Sequence, residues 1–262
     1  LAGPTLRSAL TEANRMSRPS APGICVLSID VVSDDAGAAD LCRQLAAADV
    51  PATWSIALPP CDELCEALRQ QSDNEVALLA GPWAAEPSDR RTFSRSLTGS
   101  LAELRLAGFY PTTIALPVGR LAAHDDLLAK QAIRVVRVSQ RREQPKARGW
   151  WPQLRSTRES TGFACLRWGL WEAVVTVHVR DAGLRGLVKT VDRITSRGES
   201  AIVVAPSDVL ASDAQATSKL IGQLARRRDE RALRLTTLAG SAGDFRAARP
   251  ATAARSILRP AA

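Results

Sequence analysis

The stretch "GICVLSIDVVSDDAG", residues 23–37, sets a short apolar run, Ile24 to Ile29, against an acid at its end, Asp30. A run of this length closed by polar and turn-forming residues reads as a buried strand. A carboxylate at such an end stands at the mouth of whatever the strand helps to build. Val31 and Val32 follow, and two more acids, Asp34 and Asp35, come only after Ser33. The residues leave two readings open: a catalytic acid cluster, or a strand end whose chemistry has been erased. Asp34 and Asp35 read as caps for a helix beginning near residue 36.

The same punctuation recurs along the chain. Strand-like runs are expected at 24–30, 52–57, 75–79, 112–116, 133–138, 173–179, 201–205 and 233–237. Helical patterns fall between them at 36–48, 61–71, 92–107, 122–131, 184–197 and 214–229. Strand–helix–strand repetition implies parallel pairing with helices outside. Seven or eight such units in this length favour an α/β fold of the closed type, a distorted (β/α)7-8 barrel, over an open sheet. Residues 1–22 are expected to form a peripheral helix (5–17) and a linker, 23–242 the barrel domain, and the Ala/Arg/Pro-rich stretch 243–262 a loose tail.

Composition narrows the function classes. The 262 residues are 45% hydrophobic and 24% charged, as in ordinary globular proteins. No run approaches the roughly 18 apolar residues of a membrane span. No basic-then-apolar signal segment opens the chain, which starts with Leu rather than Met. A cytoplasmic location is the expectation. The net charge of +8 comes almost entirely from Arg, dispersed in pairs and triples with no interleaved aromatic residues for base stacking. This pattern speaks against nucleic-acid binding. The five Cys (Cys25, Cys42, Cys61, Cys65 and Cys165) form no C-x-x-C pair and read as buried apolar residues, with Cys61 and Cys65 on one helix face.

In a parallel barrel, chemistry belongs at the C-terminal strand ends. Few residues there can move a proton or bind a metal: Asp30 and Asp208 are the carboxylates. His124 reads as a solvated or capping residue at a helix start. His178 alternates with Thr176 and Arg180 and can face a barrel interior.

Taken in order, these strand ends resemble the polysaccharide deacetylase family, the NodB-homology domain of family 4 carbohydrate esterases. "VLSIDVVSD" stands where the family shows an apolar strand and T-F-D-D-G. "VPATWSI", 50–56, is close to the family's "VPATFF". "NEVALLAGPWAAEP", 74–87, parallels the segment E-I-G-x-H-x-x-x-H, and "PTTIALPVGR", 111–120, the strand end R-x-P-x-G. "ESAIVVAPSD" and "RALRLTTLAG" resemble the last two strands. The resemblance covers about 24–240. It implies metal-assisted deacetylation of a sugar, with an Asp and two His on the metal, a second Asp as base, a His as acid and an Arg orienting the base.

Carried over position by position, Asp30 matches the base. The metal-binding Asp becomes Val31, the ligand His become Leu79 and Trp83, the Arg becomes Ala115 and the acid His becomes Ala205, while Pro117 and Gly119 are kept. Val, Leu and Trp offer no donor to a divalent ion. The expectation is therefore a domain without its zinc or other divalent cofactor, inactive as a deacetylase, with Asp30 a vestigial base. It would serve as a carbohydrate-binding or regulatory domain. Trp83, Pro117, Gly119, Trp150, Trp151 and Asp208 are the candidate ligand-binding residues, with Trp168 a further sugar-stacking candidate and Trp83 expected to fill the vacated metal cavity. Two alternatives stand beside it: an active hydrolase using Asp30 with Asp208 or His178, and a basic scaffold for a protein partner.

Overall fold

The computed structural model describes residues 22–32, 36–84, 89–119, 121, 124–139 and 162–248. The expected 5–17 helix, Asp34, Asp35, Trp150 and Trp151 lie outside the described residues.

β1 (Gly23–Val31) is the axis of the architecture. One edge pairs in parallel with β9 (Ala201–Pro206) over Cys25 to Asp30. The other edge pairs first with β10 (Leu233–Thr236), then with β2 (Thr53–Ile56). From β2 the sheet continues through β3 (Glu75–Leu79), β4 (Thr113–Ala115), β5 (Val135–Val138) and β7 (Trp171–Val174), all parallel. β6 (Phe163–Cys165), which the sequence pattern does not announce, runs antiparallel on the outer edge of β7.

Closure runs along one piece of chain. The Val175 N–H bonds the Val138 carbonyl (2.9 Å), and the next residue, Thr176, bonds the Ile202 carbonyl (2.9 Å). The chain thus leaves β5 and joins β9 as the two-residue β8 (Val177–His178). One expected strand at 173–179 is therefore two, and the barrel is distorted where they meet.

Alternation sorts the strands into two faces. Cys25, Leu27, Ile29 and Val31 pack outward into the layer shared with the helices, while Val26, Ser28 and Asp30 face inward. The helices around the sheet are α1 (Ala36–Ala47), α2 (Asp62–Arg69), α3 (Arg90–Leu106), α4 (Asp125–Lys130), α5 (Val179–Ala182), α6 (Leu187–Thr195), α7 (Ser207–Ser212) and α8 (Ala214–Asp229), with α9 (Leu238–Ala248) at one end of it.

Two of these helices start on a side-chain cap. Asp89 accepts from the Arg91 and Thr92 N–H groups at 2.8 and 3.0 Å, and Asp213 accepts from the Ala216 N–H at 2.9 Å. The buried stripe of α3, Phe93, Leu97, Leu101 and Leu104, keeps the spacing of one helix face. Burying each such side chain contributes about 1.5–3 kcal/mol relative to exposure. α4 begins three residues later than expected because His124 takes a left-handed conformation, φ 71°, and stops the helix there.

The N-terminal end of the barrel is plugged. Val26, Val135, Phe163, Trp171, Ala173 and Ile202 meet Leu238 and Ala242 of α9, and the Phe245 ring lies 5.1 Å from that of Phe163. Residues 243–248, expected as the start of a loose tail, belong to this helix.

The cysteine reading holds for Cys25, Cys42 and Cys65, which are buried. Burial pushes the thiols of Cys25 and Cys42 up to about 12 and about 11. Cys165 is exposed, on the edge strand β6. Cys61 is half-buried and caps α2 rather than lying within it.

Candidate functional site at the barrel mouth

With the bottom closed by α9, the interior opens, among the described residues, at the C-terminal strand ends. A cavity of about 840 Å³ lies there, with Asp30, Leu79, Val204 and His178 among its lining residues. Val32 and Val118 give it an exposed apolar rim, at 67% and 71% exposure, and Pro117, Pro206 and Ser207 complete the wall.

Asp30 is 8% exposed and does not stand alone. Arg137, on β5, reaches across the interior as a bidentate fork. Its Nη1 donates to Asp30 Oδ1 at 2.5 Å and its Nη2 to Oδ2 at 2.9 Å, and Nη1 also donates to Ser28 Oγ at 2.8 Å. The guanidinium is 1% exposed. Two charges this deep are tolerated only because they neutralise one another with good geometry. Ser207 donates to the Asp30 backbone carbonyl at 3.2 Å and fixes the strand end from the other side.

The positions that the resemblance assigns to a metal are occupied by apolar side chains. Val31 points outward and is 2% exposed within the helix-facing core. Leu79 faces the cavity. Trp83, in a short 3-10 turn (Pro82–Ala84), packs against the outer core with its ring edge-on to Phe93, centroids 5.3 Å apart. It is not among the cavity-lining side chains, so the expected filling of the old metal cavity by its indole is replaced by packing on α3. This donor set does not fit a divalent ion, and among the described residues no three His, Cys, Asp or Glu side chains group as a metal site.

Two assignments shift by one residue or one strand. Ala205 is the register partner of Ile29 and shares its outward face, so the inward positions at the end of β9 are Val204 and Pro206. The imidazole at the mouth is His178, the register partner of Val204 on β8. Ala115 is buried and pairs with Arg137.

Of the other candidates, Pro117 lines the cavity. Gly119 lies in the loop after β4 with φ 77°, its carbonyl accepting from the Ser139 hydroxyl at 3.1 Å, and it is a loop anchor rather than a wall. Asp208 sits at the rim and pairs with Arg180 at 3.4 Å, both side chains exposed, a contact worth little. His124 packs against Phe93, centroids 5.1 Å apart, and does not line the cavity. Trp168 is 70% exposed just before β7 begins, at the opposite end of the barrel from the mouth.

Sequence reasoning missed Arg137. Its signal was present in "IRVVRVS", 133–139: an arginine on the inward register of a buried strand needs a buried anion, and Asp30 was the available one.

No family model matches the chain, and no curated protein sequence does. Solved structures do. A proposed polysaccharide deacetylase from Mycobacterium smegmatis superposes with a TM-score of 0.64 at 14% identity, covering 94% of this chain and 97% of that one. A family 4 carbohydrate esterase from Streptomyces lividans, solved with acetate, gives 0.51 at 14% identity over 82% and 92%. A family 4 pseudoenzyme from Bacillus anthracis gives 0.52 at 14% identity over 84% and 66%. The chain therefore has the fold of the family 4 polysaccharide deacetylases, with apolar residues at positions 31, 79 and 83.

Proposed function

We propose that the domain binds a saccharide at its barrel mouth without deacetylating it, as a carbohydrate-binding or regulatory domain. The observation that carries this reading is the state of Asp30. Both carboxylate oxygens accept from Arg137, and the neighbouring ligand positions are Val31 and Leu79. A base without a metal has no activated water and no polarised carbonyl to work with. A family 4 pseudoenzyme from Bacillus anthracis has a similar fold.

One observation favours a second reading, an atypical hydrolase. His178, Asp30 and Asp208 line the same cavity, as an acid and a base serving one substrate would. The bare basic scaffold is weakened by local pairing of the exterior arginines, including Arg90 with Asp126, Arg227 with Asp192 and Arg228 with Asp49.

The first two readings separate in one experiment. After equilibration with zinc and desalting, elemental analysis is expected to find no stoichiometric metal. Acetylated chito-oligosaccharide is expected to bind and release no acetate. Stoichiometric zinc, or acetate release abolished by Asp30→Ala, would establish the hydrolase instead.

A further inference from the structure

We propose that Arg137 is the positioning residue of this mouth, transposed by one strand from where the resemblance places an arginine, and that it makes the floor select neutral over cationic ligands. The ligand-selection part rests on the saccharide reading above; the transposition does not.

Ala115 and Arg137 are direct partners in the parallel pairing of β4 with β5. Their side chains leave the sheet on one face, with the two strands about 4.8 Å apart. An arginine side chain is longer than that spacing, so a guanidinium rooted at either position can meet the same carboxylate. In this chain the root is on β5, and the small Ala115 leaves the neighbouring strand free of a second positive charge. The Arg137 Nε–H has no hydrogen-bond partner among the described residues, while both Nη groups are spent on Asp30 and Ser28. Among the described residues the side chain is thus satisfied through its two terminal nitrogens, by Asp30 and Ser28. Its placement answers to that carboxylate.

The consequence is electrical. Asp30 with both oxygens paired presents no net charge to a ligand, and at the rim Arg180 and Asp208 offset each other. Asp181 and His178 also line the cavity and are common to the wild-type protein and every Arg137 variant. Without Arg137, Asp30 would put one uncompensated negative charge on the floor. A protonated amino sugar would then gain over its acetylated, neutral counterpart.

The test uses titration calorimetry with fully acetylated chitotetraose and with the glucosamine tetramer carrying protonated amines. The wild-type protein is expected to bind the acetylated tetramer more tightly. Arg137→Met is expected to move the ratio of the two dissociation constants about tenfold toward the cationic tetramer, the order for one charge about 10 Å away at an effective dielectric of about 20. Should that variant not fold, Arg137→Gln, which keeps a donor but no charge, is expected to shift the ratio in the same direction. The double variant Ala115→Arg/Arg137→Ala is expected to keep the wild-type ratio and to melt well above Arg137→Ala alone.

A wild-type preference for the cationic tetramer, or an unchanged ratio in a folded Arg137 variant, would overturn the selection role. If neither tetramer binds the wild-type protein, the saccharide reading and the selection role built on it both fail. The melting comparison then decides the transposition, which stands on rescue by the double variant and falls without it.

Discussion

Asp30→Ala lowers the free energy of unfolding by about 3–5 kcal/mol, and adding Arg137→Met to it restores most of that loss. The asymmetry follows from where the pair sits. Arg137 is 1% exposed, and Asp30 Oδ1 and Oδ2 take its two terminal nitrogens. Removing the acid strands a guanidinium that water cannot reach, which costs far more than the pair itself contributes. Removing both leaves no buried charge beside the Ser28–Ser55 hydroxyl pair, with Met filling much of the arginine's volume. Urea denaturation of the two single variants and the double variant measures the coupling directly. A loss below about 1 kcal/mol for Asp30→Ala would mean that the pair behaves like a screened surface contact, and that Asp30 does not hold the floor of the mouth.

The particular residues explain what could be read in advance. "VPATWSI" was legible because alternation alone sends Trp54 and Ile56 into the helix layer and Thr53 and Ser55 inward, and the structure places them so. "GICVLSID" was legible for the same reason. The floor of the site was not, because its key bond joins residues 107 apart and no local pattern encodes a pairing at that range. Ala205 illustrates a second limit. A motif alignment fixes a strand end to within a residue, but one residue exchanges the inner face for the outer, and the inward positions proved to be Val204 and Pro206. The helix α9 was hidden for a third reason. "LAGSAGDFRAA" has two glycines and a weak apolar stripe, so its helicity depends on tertiary contacts at the barrel's bottom rather than on its own propensity.

Those tertiary contacts converge on Glu75, and they define the second large effect. Glu75 opens β3 at the plugged end and is half-buried. Its Oε2 accepts from the Thr53 hydroxyl and the Ala239 N–H, each at 2.9 Å, and its Oε1 accepts from the Thr113 hydroxyl. Thr53 in turn accepts from the Leu238 N–H at 2.9 Å, so the first turn of α9 is held by one carboxylate and one hydroxyl. Glu75→Ala is expected to cost about 2–3 kcal/mol, because the Ala239 N–H loses its acceptor while the threonine hydroxyls can turn elsewhere. Glu75→Gln should cost less: its Oε1 can serve Ala239 and Thr53 while its amide donates to Thr113.

The pH dependence separates the charge from the hydrogen bonds. Burial raises the Glu75 carboxyl above the ordinary glutamate range, against the opposing pull of its donors, Ala239 first among them. The folded chain therefore keeps this proton to higher pH than the unfolded chain, whose glutamate titrates near about 4.3. Between those two values the native state binds more protons, so this residue's contribution to stability is largest below the unfolded value and falls as pH rises through the folded one. Most native carboxylates act in the opposite sense. The difference in unfolding free energy between wild type and Glu75→Gln, measured in urea across that range, is expected to decline with rising pH. A difference that stays flat, or that grows with pH, would mean that the donors around Glu75 outweigh its burial. The clasp on α9 would then be strongest with the carboxylate ionised.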